Sequence, residues 1–259
     1  MMKAILRQEW QGRKKIIGIW SLIQGVVAVL SIALCLIAPH VSLQMEAVAE
    51  IWTGIVFCFF FLGLPLYTLL RGAGSLEYWT KDGGYLDLLL PVSPYKLIGG
   101  KMIIGLAEFF VYFIPACLYS SVLVPAVSLL DPDNVSGFAE MVPSLYRVVF
   151  VDQLSFSVNL VFAIVVIFLV AQAVFNCAVV LYLSFIKWKR GATLEIFILI
   201  LIACYIMIKA TAFTAEISGF NYEVLDSWKN FWRVSLVSGV FGVLYYLLTC
   251  FLIRHKVEV

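Results

Sequence analysis

Charge is the scarcest commodity in this 259-residue chain: Asp, Glu, Lys and Arg make up 13% of it, against 63% hydrophobic residues. Water could not solvate the surface of such a chain, which excludes a soluble globular protein and leaves an integral membrane protein. Nucleic-acid binding has no support in so sparse a set of cations. Histidine is almost missing. His40 and His255 are the only two, and the topology derived below puts them on opposite sides of the membrane, where they cannot share a metal ion or a proton relay. The sequence also lacks H-E-x-x-H, G-x-S-x-G and an Asp pair in facing spans, so neither an intramembrane enzyme nor a metal site is expected. A nucleotide site is lacking as well. Gly100-Lys101 is the one Gly-Lys pair, but Tyr95 stands where the first phosphate-loop glycine belongs and Met102 where Ser or Thr must reach Mg²⁺. No cofactor is therefore expected on this chain; any ATP would be bound by another polypeptide. The six cysteines (Cys35, Cys58, Cys117, Cys177, Cys204, Cys250) contain no C-x-x-C pair and fall within apolar stretches, as small buried hydrophobes rather than a disulfide framework. No internal repeat of the inverted-transporter kind is visible.

What is present is long apolar runs. A helix needs about 20 apolar residues to cross the hydrocarbon core, and six stretches qualify: 16–38, 51–70, 102–123, 156–186, 192–210 and 234–253. Six crossings put both termini on one side. Fourteen of the 18 basic residues lie on one set of loops: Lys3, Arg7, Arg13, Lys14 and Lys15, then Arg71, Lys81, Lys96 and Lys101, then Lys187, Lys189 and Arg190, then Arg254 and Lys256. The other loops hold Arg147, Lys209, Lys229 and Arg233 amid acids running from Glu46 to Asp226. The positive-inside rule makes the termini and the 71–101 loop cytoplasmic. The first apolar stretch is long enough to span and no A-x-A cleavage site follows it, so a secretory signal is not expected. Residues 1–15 carry Ile5, Leu6 and Trp10 beside Lys3, Arg7 and Lys14, the pattern of an interfacial helix in contact with membrane lipids. The alternative is a positive flank that orients the first span.

Polar residues inside spans are costly and so are candidate functional residues. Glu108, in the third span, can pair with a cation on a neighbouring helix, sit protonated, face a water-filled path, or make a packing hydrogen bond. Gln172 and Asn176 are four residues apart on one face of the fourth span, with Asn159 towards its other end; these amides are candidates for interhelical bonding or for a translocation path. Glu195 and Lys209 lie where they can snorkel to the interfaces. Ser235 with Gly239, and Ser238 with Gly242, permit close helix approach in the last span. Pro65, Pro115 and Pro125 are expected to kink or end their helices.

The segment from Lys81 to Lys101 stands apart. Ser75 to Thr80 can form a short helix, Asp82-Gly83-Gly84 supplies a tight turn, Tyr85 to Leu90 forms a second apolar turn, and Pro91-Val92-Ser93-Pro94 breaks it. A compact, stiff knob is expected. The run Lys81-Asp82-Gly83-Gly84-Tyr85-Leu86-Asp87-Leu88-Leu89-Leu90-Pro91-Val92-Ser93, followed by Gly100-Lys101, resembles the segment after the second span in permeases of second-type ABC exporters. The resemblance covers about 20 residues in motif and, in architecture, the N-terminal helix, the six spans and the size of the chain. Asp82 replaces the family's commoner Glu, and the leucine run is shorter than usual.

The resemblance implies an all-α membrane fold: six transmembrane helices, an N-terminal interfacial helix, a coupling helix within 71–101, and an aromatic re-entrant segment over 211–233 on the outside. An interfacial aromatic belt would give the last of these a similar appearance. It implies a dimer of permeases, homomeric or of paralogues, above separate ATPase subunits that bind ATP and Mg, in a bacterial plasma membrane. Glu77, Lys81, Asp82 and Asp87 would be the polar contacts to the ATPase, Tyr78, Trp79, Tyr85 and Leu88 its apolar anchors, and Gly83, Gly84, Pro91 and Pro94 the hinges of the knob. The few fixed charges in the spans suit an amphipathic or antimicrobial peptide as cargo; a small drug or lipid, as in antibiotic-resistance pumps, is the alternative. A membrane scaffold or sensor is the alternative of a different class.

Overall fold

The computed structural model describes residues 2–77, 93–128, 147, 154–185, 197–206, 208–209 and 228–255. Among them there is no strand, and helices account for nearly all. In chain order these are α1 (Met2–Ile37), a 3₁₀ turn (Ala38–His40), α2 (Leu43–Cys58), a π turn (Phe59–Gly63), α3 (Leu64–Glu77), α4 (Pro94–Ser128), α5 (Leu154–Phe185), α6 (Phe197–Ile206) and α7 (Trp228–His255). Among the described residues, five stretches are long and apolar enough to cross a membrane: Glu9–His40, Gln44–Arg71, Pro94–Val124, Ser157–Tyr182 and Ser235–His255. The chain is thus a multi-pass membrane protein. The sixth apolar stretch, 192–210, is represented among the described residues by the shorter α6.

Several boundaries differ from expectation, each for a local reason. α1 is one helix of 36 residues, about 54 Å at 1.5 Å per residue, with no break near residue 15; neither proline nor a glycine pair stands there to interrupt it. The third long helix begins at Pro94 rather than at 102. Ser93 accepts from the backbone N–H groups of Lys96 and Leu97 through its carbonyl (2.9 and 3.2 Å), and proline at the first helical position has no N–H to leave unsatisfied. Helix likewise continues past residue 70 to Glu77, so 71–77 and 94–101 belong to helices rather than to the loop. Residues 228–233, expected within a re-entrant segment, are the first turns of α7; the rest of that segment, 211–227, lies outside the described residues.

Pro65 does not end its helix. It lacks the N–H that would reach the carbonyl of Phe61, and the chain widens into the π turn just before it, with Leu64 N–H bonded back to Phe59. Gly63 fits there because a Cβ would lie 3.3 Å from the Phe59 ring. Ser42, extended at φ −171, accepts from Met45 N–H and starts α2.

The chain divides into two compact units, one of residues 1–9, 69–106 and 158–259, the other of 10–68 and 107–157. In the second unit α1 buries the stripe Arg13, Ile17, Gln24, Ala28, Ser31, Cys35, and the α2–α3 run buries Ala49, Thr53, Val56, Phe60, Leu64, Thr68. Both follow the three-or-four spacing of one helical face. Large aliphatics such as Ile19, Leu22, Val29 and Leu30 point outward, the arrangement lipid permits because tails are as apolar as leucine. Contacts give the helix directions. Trp52 Nε1 donates to Ser31 Oγ at 2.9 Å, Cys35 lies 3.6 Å from Thr53, and Trp20 packs on Phe59 and Tyr67: α1 and α2–α3 run antiparallel. Arg13 meets Glu108, Gln24 meets Tyr112, and Gly25 faces Tyr119: α1 and α4 run parallel.

The first unit has its core at Leu97, Ile98, Val179, Val180, Cys250, Leu252 and Ile253. Here α5 and α7 approach so closely that a Cβ on Gly242 would lie 2.8 Å from Val170 Cγ2, and one on Gly239 3.7 Å from Val166 Cγ1. Because 239 meets 166 and 242 meets 170, these two helices run parallel. Tyr245 Oη donates to the Ala203 carbonyl at 3.0 Å, tying α7 to α6.

Candidate functional site

Among the described residues, a polar cluster lies in the unit of residues 10–68 and 107–157. Arg13 and Glu108 occupy the buried stripes of α1 and α4, and the parallel course of the two helices brings them together: Arg13 Nη1 stands 3.0 Å from Glu108 Oε2, with side chains 5% and 0% exposed. Tyr112, one turn beyond Glu108, donates from Oη to Glu108 Oε1 at 3.5 Å. Gln24 then donates from Nε2 to the Tyr112 carbonyl at 3.0 Å. The Gln24 Oε1 atom, by contrast, is buried without a hydrogen bond.

The chemistry of this cluster is that of a lock. A bond between a guanidinium and a carboxylate is charge-assisted, about twice as strong as a neutral one. Both ions lose water on burial, so the pair adds little to stability over an apolar pair of the same shape, yet removing one partner strands the other at a cost of about 3–5 kcal/mol. Of the roles open to Glu108 from sequence, the structure shows a cation on a neighbouring helix at bonding distance and a packing hydrogen bond from Tyr112.

The other candidate residues are spread out. Gln172 and Asn176 are both buried in the first unit and share a face of α5 as their spacing predicts. Gln172 lies against Gly105 of α4, where any Cβ would collide with its Nε2, and its Oε1 is buried without a hydrogen bond. Asn159 is partly exposed and 13 residues before Gln172, about 20 Å along the helix axis, so it does not join them. Pro94 is the first residue of α4 and Glu77 the last of α3. Tyr78, Trp79, Lys81, Asp82, Gly83, Gly84, Tyr85, Asp87, Leu88 and Pro91 lie outside the described residues.

Two residues counted as cytoplasmic charge belong inside. Arg13 is 4% exposed and Lys101 7%, whereas Lys3, Arg7, Lys14 and Lys15 are exposed as expected. A signal for Arg13 exists in the sequence: it lies in register, at three-or-four spacing, with Ile17, Gln24, Ala28, Ser31 and Cys35, the small and polar stripe of the first span. Lys101 is seven residues before Glu108 and so on the same face of α4. Among the described residues no group of His, Cys, Asp and Glu could hold a metal ion. Comparison with known protein families, curated proteins and solved structures finds no match to this chain.

Proposed function

We propose that this chain is the transmembrane subunit of an ATP-driven exporter of the second ABC type, with the coupling to a separate ATPase made by the segment between α3 and α4. The observation that carries the reading is the run Lys81-Asp82-Gly83-Gly84-Tyr85-Leu86-Asp87-Leu88-Leu89-Leu90-Pro91-Val92-Ser93, set between the second and third membrane-length helices and closed by Gly100-Lys101.

Helix directions support the six-span topology that the reading needs. α1 is antiparallel to α2–α3 and parallel to α4, as successive crossings demand. α5 and α7 are parallel, and two parallel spans must be separated by another crossing, for which α6 and the flanking apolar residues of 192–210 are the material. An even number of crossings returns both termini to the side of the 71–101 segment, the cytoplasm of a bacterial cell by the charge bias. The bias survives without Arg13 and Lys101, since 12 basic residues remain on that set of loops against four on the other.

Export of an amphipathic peptide is the cargo reading that suits this surface. Among the described residues the buried charges are matched to acids, Arg13 with Glu108 and Lys101 with Glu9, while many outward residues are large aliphatics and aromatics; such a surface favours a cargo that carries its own apolar face over a small ion. Rocking of two permease copies driven by ATP closure of the partner would move it.

The test is affinity capture of the full chain with nucleotide present, followed by ATP hydrolysis measured across candidate peptides. An ATPase that co-purifies and responds to both chain and peptide is expected. Replacing Asp82 and Asp87 with Lys is expected to abolish that response while membrane insertion is kept. Capture of a cytoplasmic protein without ATPase activity would instead identify a scaffold.

A further inference from the structure

Three helices converge on the first two turns of α4, all within the unit of residues 1–9, 69–106 and 158–259. From α7, Tyr246 Oη donates to the Tyr95 carbonyl at 2.7 Å, and the two rings meet edge to face with centroids 6.3 Å apart. One turn further on, Gly99 leaves room for that phenol: a Cβ at 99 would lie 3.2 Å from the Tyr246 oxygen, closer than van der Waals contact comfortably allows. From α1, Glu9 Oε1 stands 3.6 Å from Lys101 Nζ, with side chains 19% and 6% exposed. Between these two attachments Leu97 and Ile98 are buried with Leu252 and Ile253 of α7 and Val179 and Val180 of α5.

A joint of this kind is more than the packing of a span. An ammonium is a strongly hydrated point charge, so a lysine 7% exposed must be held by an opposite charge, and its position is set by where that charge sits. A phenol bonded to a first-turn carbonyl holds the helix start by its backbone, whatever its side chains do. Both attachments sit just after the segment 78–92, to which α4 connects through Ser93 and Pro94, and proline fixes its own φ. A displacement of that segment therefore enters α4 at the place where α1 and α7 grip it.

We propose that Glu9, Lys101 and Tyr246 are positioning residues that make the start of α4 one mechanical body with the beginning of α1 and with α7, so that a push from the ATPase moves three helices together. The inference rests on the coupling reading above and deepens it: Lys101, in the family-like motif, holds Glu9, and Gly99, two residues before it, admits Tyr246.

The experiment uses the full chain with the ATPase that co-purifies with it, in liposomes of phosphatidylethanolamine and phosphatidylglycerol, and reads the change in ATP hydrolysis that the chain causes. Lys101→Glu is expected to cut that change roughly fivefold or more while the complex still elutes as one species. Combining it with Glu9→Lys, which restores an opposite pair, is expected to recover at least half of the loss, a rescue that mere damage to folding would not allow. Gly99→Ala, which disturbs only the seat of Tyr246, is expected to reduce the change about twofold, the size of one modest hydrogen bond; it decides the matter if Lys101→Glu does not assemble. Assembled Lys101→Glu or Gly99→Ala chains that act on hydrolysis as the unsubstituted chain does overturn the joint and leave the exporter reading standing. So does a double exchange no better than the single one. An unsubstituted chain that neither captures an ATPase nor alters its hydrolysis overturns the exporter reading, and the joint falls with it.

Discussion

The interior of one compact unit and the α5–α7 seam of the other hold apolar helices together by different chemistry in a solvent that gives no hydrophobic push between them. In the unit of residues 10–68 and 107–157 the glue is polar and exact in its partners: Arg13 on Glu108, Gln24 on the Tyr112 carbonyl, Trp52 on Ser31. In the unit of residues 1–9, 69–106 and 158–259 the seam of α5 and α7 is made by absence, glycines at 239 and 242 that let Val166 and Val170 come near the backbone. The difference teaches that polar residues inside spans need not mark a path for cargo. A paired charge fixes which helix faces which, because a wrong partner leaves an ion stranded. A glycine contact allows close approach but names no partner, and its strength is the sum of many small dispersion terms.

This contrast can be broken or sharpened by substitution, and the largest effect belongs to the charges. Arg13→Leu leaves Glu108 buried without its partner and is expected to lower stability by about 3–5 kcal/mol, read as thermal unfolding of the detergent-purified chain. Adding Glu108→Leu should return most of it, since two apolar groups of similar volume replace the pair. If the double substitution is as unstable as the single, the pair does more than lock. Next comes the glycine seam. Gly242→Ala meets Val170 Cγ2 at 2.8 Å and its Cα at 3.4 Å, where the backbone cannot yield easily, and overpacking of this kind is expected to cost about 1–3 kcal/mol. Gly105→Ala collides only with the end of the Gln172 side chain, which can swing away, and should cost less than Gly242→Ala in the same assay. An equal cost would mean that the Gln172 amide is itself held in place.

Smaller still is Glu108→Gln. It keeps the shape and an acceptor for Arg13 but removes the charge, so transport turnover should survive if the pair only locks helices, and should fall if Glu108 takes part in moving cargo. The smallest effect is expected from Ser31→Ala, which takes the acceptor from the Trp52 indole and should cost about 0.5–1.5 kcal/mol. A change in the tryptophan fluorescence of the chain would accompany it, because an indole that loses a hydrogen bond emits from a different environment.

Much of the fold was legible before any coordinate. The apolar runs at 16–38, 51–70, 102–123, 156–186 and 234–253 each match a membrane-length helix, because length and hydropathy are local properties of the chain. Helix ends were less legible. Pro94 reads as a breaker after Pro91-Val92-Ser93, yet it is the first residue of α4, where a proline costs nothing. Pro65 reads as a kink or stop; it does not stop the helix, and a π turn stands just before it. At the candidate site, the shared face of Gln172 and Asn176 followed from their spacing. The burial of Arg13 and Lys101 did not follow from their place near a span's end, where a cation can reach for lipid phosphate or turn inward to an acid; only the register of Arg13 with the stripe of Gln24, Ala28, Ser31 and Cys35 carries a signal.

By itself the sequence determined that this is a multi-pass helical membrane protein, since a chain with so little charge and such long apolar runs has no other way to satisfy its backbone. It also carries the motif between the second and third long helices on which the exporter reading stands. Only the tertiary structure decided which polar residues are partners: that Arg13 belongs to Glu108, Glu9 to Lys101 and the Tyr246 phenol to the Tyr95 carbonyl. Those pairings join residues some 90 to 150 positions apart in the chain. Helical periodicity specifies the face on which a residue lies; the neighbour across that face depends on how the helices pack.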